Sequence, residues 1–178
     1  MAPPATHRGD FGEEARPITQ PTNSCWNFYT GWEEYQGHLV HAVAPLSDEQ
    51  LRLGIAPHLR SIGQIARHIV RARATWLHKV MGEGRPEIAV IAQWPREDEM
   101  LPAAELVQGL EVTFADWQGC LQRWVPEDLD YVFRGERAGE PYALSRRWIV
   151  WHVIEHDLHH GGELFFSLGA HGLATPDI

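Results

Sequence analysis

The sequence predicts an all-α domain, a four-helix bundle with a short β-hairpin before its last helix. Three observations point there. Four long segments repeat apolar residues at steps of three and four, the connections between them carry proline and glycine, and no strand–helix–strand alternation runs through the chain. A length of 178 residues suits one core better than two. With 44% hydrophobic and 22% charged residues, composition excludes neither a packed core nor an ordinary globular surface.

Taken in order, residues 1–22 hold Pro3, Pro4, Pro17 and Pro21 among Thr, Gly and Glu, a composition that predicts an extended arm. A single domain is expected over residues 23–178, starting at Asn23. From Trp26 to Val43 the apolar residues Trp26, Phe28, Tyr29, Trp32, Tyr35, Leu39, Val40 and Val43 recur mostly at three- and four-residue steps, the period of a helix face. "APLSDEQL" then breaks at a proline and spaces Ser47 and Gln50 as a capping box, which predicts a short helical turn. Ser61 caps the second long helix, whose stripe of Ile62, Ile65, Ile69, Trp76 and Val80 ends at Gly82 and Gly84. Pro86, Pro95 and Pro102 interrupt the next stretch, and helical spacing returns from Ala104 to Trp124. "DYVFRGERAGEPYALS" predicts a hairpin around Gly135 and Gly139. Ser145 caps the last helix, which runs to about Leu168. That helix is apolar on two sides, with Ile149 and Val153 on one and Trp151, Ile154, Leu158 and Phe165 on the other. It is therefore expected to be buried all round, and its second face suggests a homodimer contact.

Charge narrows the function classes. A formal net charge of −9 with no basic run argues against nucleic acid and anionic membrane as partners. No apolar stretch reaches the roughly eighteen residues of a membrane span, and "MAPPATHRGD" lacks the apolar core of a signal peptide, so a cytoplasmic location is expected. Cys25 and Cys120 are far apart in sequence and read as reduced, structural thiols. The tryptophans read as core and cleft wall.

The chemistry concentrates in "WHVIEHDLHH", residues 151–160. Residues four apart on a helix are neighbours, so His152, His156 and His160 form a ladder, with His159 on its flank. Two imidazoles at this spacing can share one divalent ion, and the pair His156 and His160 is the natural chelate. A third ligand has to come from a facing helix, where His68 is the best-placed candidate. His38 and His41 make a rival pair that Gly37 and Pro45 weaken, and they read as ordinary surface histidines. Asp157 turns "HDLHH" into H-D-x-x-H, one methylene short of the metalloprotease helix. It is the candidate catalytic or water-orienting carboxylate, although it points about 100° away from His156 and an exposed helical carboxylate is the plainer reading. Glu155 reads as structural. Glu163 lies in the histidine stripe, where it can take the free N–H of a ligand histidine and set its tautomer.

"SIGQIARHIVRARATWL" and "RRWIVWHVIEHDLHHGGELFFSLGAHG" together resemble the DinB/YfiT-like superfamily, over most of the chain from the first helix onward. The specific elements are a histidine in the second helix and H-x-x-x-H-x-G in the last. Carried over by position, the resemblance implies His68, His156 and His160 as three metal ligands; His152, His159 and Glu163 are placed beside them by the helical stripe alone, to orient or flank them. It further implies a four-helix bundle, often dimeric, with a divalent ion (zinc, nickel, manganese or iron) at one end and open coordination positions. Characterised relatives are thiol-dependent transferases or isomerases, which implies a low-molecular-weight thiol co-substrate and a small-molecule electrophile. The leading expectation is a thiol-dependent S-transferase. Alternatives are a hydrolase that activates water at the same site and a non-catalytic metal or small-molecule binding protein. Arg71 and Thr75 are the candidate substrate contacts. Two positions depart from the family pattern: Gly161 stands where a basic residue is frequent, and Asp157 where Glu is frequent. Both put the transfer of substrate preference in question.

Overall fold

A computed structural model of the chain describes residues 24–94, 100–137 and 139–177. The arm expected over residues 1–22, the domain start at Asn23 and the break at Pro95 lie outside the described residues. Among the described residues the architecture is helical with one two-stranded antiparallel hairpin, as the sequence predicts.

The first expected helix is corrected into two pieces, a 3₁₀ turn over Cys25–Phe28 and helix α1 over Gly31–Val43. Ser24 caps the 3₁₀ turn through its hydroxyl, and the Tyr29–Thr30 junction redirects the chain before Trp32 enters the core. Helix α2 (Asp48–Leu51) is the short turn expected from Ser47, with both hydrogen bonds of the capping box present. Helix α3 (Ile62–Ala74) begins at Ser61: the Ser61 N–H donates to Gln64 Oε1 at 2.8 Å, and the Gln64 N–H donates to Ser61 Oγ at 3.3 Å. Its continuation over Thr75–Val80 widens into a π-turn and ends at Gly82 and Gly84, both at positive φ.

Helix α4 (Pro86–Ile91) lies in the stretch expected to be broken. Pro86 at its first turn is a helix starter rather than a breaker, because its missing N–H has no partner to lose there. Helix α5 (Ala103–Arg123) and helix α6 (Arg146–Ala170) match the third and fourth expected helices closely. Strands β1 (Val132–Arg137) and β2 (Glu140–Ser145) pair in register from Val132 opposite Ser145 to Arg137 opposite Glu140, and the turn uses Gly139 at φ +85°. Arg146 pins the hairpin to the bundle: its guanidinium sits 4.5 Å from the Trp124 ring and donates to the Asp128 carbonyl at 2.8 Å.

Helix α5 packs on α1 and α3, α3 on α6, and α6 closes the ring against α1. Leu39, Ile65, Ile69, Leu110, Trp117, Ile149 and Leu164 fill the space between them, each fully buried. Burying side chains of this size contributes about 1.5–3 kcal/mol each. Helices α3 and α6 run antiparallel, since His68 meets His160 at one end of their seam and Trp76 meets Trp148 at the other.

The expectation that α6 is buried all round needs correction. Ile149, Val153 and Phe165 are inside, but Trp151 is 60% and Phe166 69% exposed, with Trp148 and Leu158 also exposed. A ring of four helices covers only the inward side of each, and no described element lies over this face.

Candidate metal centre

His68 on α3 and His156 and His160 on α6 converge across the seam, with one potential ligand atom from each within 4.8 Å of the others. The Nε2 atoms of His68 and His156 are 3.0 Å apart, so a proton on one ring is donated to the lone pair of the other. Ring centroids are 4.5 Å apart for His68 and His160 and 4.4 Å for His156 and His160. All three side chains are half-buried.

Burial, then Arg60, lowers the pKa of His68 to about 4, and burial, then His160, lowers that of His156 to about 3. Both rings are therefore neutral near pH 7. On the third histidine, Nδ1 donates to Glu163 Oε2 at 2.8 Å, so Nε2 is the nitrogen of His160 left to bind an ion. Nδ1 of His156 is buried and has no hydrogen-bond partner among the described residues. Three imidazoles facing one another, His68 and His156 neutral among them, form a donor set that fits a borderline divalent ion such as zinc, nickel or iron.

The residues expected around this group are distributed unevenly. Glu163 is where the stripe argument put it. His152 touches His156 at 6.1 Å between centroids, but it is stacked on Trp148 and meets Trp76 edge-on, both at 4.9 Å. It also faces Glu155 at 3.5 Å. His159 is exposed and meets the His160 ring edge to face, 4.7 Å between centroids. Arg71 adds positive charge near His68, and its Nε donates to the Trp94 carbonyl at 3.0 Å. Thr75 turns its Oγ1 into the protein, without a hydrogen-bond partner among the described residues and without a bond to the histidines. His41, of the rival pair, donates from Nδ1 to its own helix at Gly37 O, 2.8 Å away.

Asp157 is corrected outright. It is neither an exposed carboxylate nor placed as a water-orienting base: it has no exposed surface and pairs with Arg73, which is equally buried. Its Oδ2 accepts from Arg73 Nε at 2.8 Å and from Trp32 Nε1 at 2.7 Å. Burial pushes its carboxyl above the ordinary range, against the opposing pull of Arg73 and Trp32. The 100° step from His156 that turned Asp157 away from the histidines turned it into the core.

Arg73 and Arg60 lie near the site without having been singled out from the sequence, which reads Trp76 only as core or cleft wall. For Arg73 a signal existed: position 73 falls inside the stripe of Ile62, Ile65, Ile69 and Trp76, where a charge demands a buried partner. Gly161 has a steric explanation, since a Cβ there would lie 2.1 Å from the Tyr35 hydroxyl oxygen. That hydroxyl donates to the Leu158 carbonyl at 3.3 Å, so the ring lies across the helix where any side chain would stand.

Comparison with known proteins agrees with the fold. A sequence profile described as the DinB superfamily matches residues 32–164. The structure is similar to a DinB-like protein from Bacillus cereus, with a TM-score of 0.68 at 22% identity, over 88% of this chain and 98% of that one. It is also similar to a DinB-like protein from Bacillus subtilis, with a TM-score of 0.61 at 16% identity, over 85% of this chain and 96% of that one. No curated protein matches the sequence. With the family profile spanning residues 32–164, the chain belongs to the DinB superfamily.

Proposed function

We propose that the chain is a metal-dependent enzyme of the thiol S-transferase type, in which His68, His156 and His160 hold a divalent ion. The observation that carries this reading is the three-histidine cluster itself, with ligand atoms within 4.8 Å and two of its rings kept neutral by burial. An ion with three protein ligands keeps open positions and lowers the pKa of a thiol or water placed there.

The chain's own residues suit an anionic nucleophile. Glu163 holds a proton on Nδ1 of His160, so the Nε2 lone pair stays available. Arg60 and Arg71 put positive charge beside His68, and that field favours a thiolate over its thiol. Trp76 and Trp148 stand beside His152 and offer an apolar wall to a small electrophile. In this reading Arg71 contacts the substrate while the inward hydroxyl of Thr75 does not, residues 23–178 act as one domain, and the protein works in the cytoplasm, where the buried Cys25 and Cys120 stay reduced. The exposed apolar face of α6, with Trp151 and Phe166, supports a homodimer, which sedimentation velocity of the untagged chain tests.

Elemental analysis of untagged protein purified without chelator, beside folded His68→Ala and His156→Ala variants, is the deciding experiment. About one divalent ion per chain in the parent and none in either variant is the expected result. A parent that stays metal-free after incubation with zinc, nickel, manganese and iron would overturn the reading. An electrophile panel run with and without thiol then separates transfer from hydrolysis, because only transfer requires the thiol. Ligand-dependent melting shifts without turnover would instead mark a binding protein.

A further inference from the structure

We propose that Arg73 and Asp157 are positioning residues for the three-histidine group: their buried ion pair sets the register of α6 on α3 that brings His156 and His160 to His68. The inference rests on the metal reading above and concerns how the donor set is held.

Asp157 directly follows His156, and Arg73 is five residues beyond His68 on the facing helix. The contact between them is directional. Asp157 Oδ2 accepts from Arg73 Nε at 2.8 Å, lies 2.7 Å from Arg73 Nη2, and accepts from Trp32 Nε1 at 2.7 Å. From the same guanidinium, Nη1 donates to Gln36 Oε1 at 2.7 Å and to the Leu110 carbonyl at 3.2 Å, and Trp117 Nε1 donates to the Arg73 carbonyl at 3.2 Å. One arginine thereby ties α1, α5 and α6 to α3.

Apolar packing along the seam is non-directional and leaves register weakly specified, whereas a slip of one residue moves a helix by about 1.5 Å and turns its side chains by about 100°. Metal ligands tolerate only about 0.2 Å. Stability does not require this pair, because a buried ion pair is often replaceable by apolar residues at no loss, while its best-attested use is to specify register. Its place beside the histidines makes register the property that matters here.

The test compares the parent with Asp157→Asn and with the double variant Arg73→Met, Asp157→Leu. Asp116→Asn serves as control, since it weakens a contact to Arg85 that involves neither α3 nor α6. The readouts are zinc affinity by competition with a chromophoric chelator, the visible absorption of the cobalt(II) form, and the melting temperature of the metal-free protein. We expect zinc to bind about 10- to 100-fold more weakly in both variants, with an altered cobalt spectrum, and the control to lower only the melting temperature. If the double variant does not fold, Asp157→Asn carries the comparison, since it keeps the side-chain size and an acceptor for Trp32. A folded variant with the parent's affinity and spectrum would overturn the inference, as would an affinity loss in the control equal to that in Asp157→Asn. A parent that binds no zinc overturns the metal reading and this inference with it. A parent that binds as well as its variants overturns this inference alone.

Discussion

His156 and Asp157 are consecutive residues of α6, yet they belong to polar clusters built on opposite terms. Around Asp157, opposite charges meet with no exposed surface, and the hydrogen bonds reach all four long helices. Around His156, three bases face one another half-buried, and the carboxylate nearby, Glu163, is engaged by the far nitrogen of His160. The first arrangement balances its charges within the protein, although Asp157 Oδ1 and Arg73 Nη2 make no hydrogen bond among the described residues. The second gathers three imidazoles around one point, where a divalent ion would take the place of the His68–His156 hydrogen bond. A cluster of paired opposite charges reads as architecture, and a cluster of facing bases as a site.

The sharpest way to break this contrast is to remove one partner from each cluster. Arg73→Ala strands a buried carboxylate and is expected to cost about 3–5 kcal/mol in urea unfolding. For the metal-free protein, His68→Ala is expected to cost about 1 kcal/mol or less, because it removes a half-buried neutral ring. Equal losses would mean that both clusters are structural.

Acid sharpens the same comparison. The unfolded chain binds protons on His68 and His156 near pH 6.5, whereas the folded pKa values are about 4 and about 3, so between these limits the unfolded state holds more protons. Stability of the metal-free protein is therefore complete above about pH 6.5 and falls progressively as the pH drops toward 4 and then 3. Urea midpoints across this range should show a shallower decline in a His68→Gln, His156→Gln variant than in the parent. Parallel declines would show that other groups govern acid sensitivity.

The smallest effect is expected from Glu163→Gln, which keeps an acceptor for His160 but removes its charge. Zinc affinity should fall about tenfold with the melting temperature nearly unchanged. An unchanged affinity would reduce Glu163 to a surface residue.

Much of the fold was legible because it is written in local spacing. Ser47, Ser61 and Ser145 marked helix starts, and three-and-four stripes marked the long helices and their inward faces. The hairpin was legible through its glycines. The break at Tyr29–Thr30 was not, because the apolar period of Trp26, Tyr29 and Trp32 runs unbroken across it. Helix α4 was missed because proline marks both a stop and a first turn, and only its position decides which.

For the site, the ladder of His156 and His160 followed from the helical period alone, and Glu163 from its place in that stripe. Whether His68 reaches them depends on which helices are neighbours and in which direction they run. Asp157 shows the limit most plainly: spacing shows that it points away from the histidines, but not whether solvent or a buried arginine waits on that side. That outcome needed Trp32, Gln36, Leu110 and Arg73 brought from three helices to Asp157 on a fourth. Helical period and capping are properties of neighbours along the chain, so the sequence by itself determined the helices, their apolar faces and the imidazole ladder. Pairing of charges and convergence of ligands are properties of neighbours across the bundle, so only the tertiary structure decided which histidines meet and that Asp157 belongs to the core.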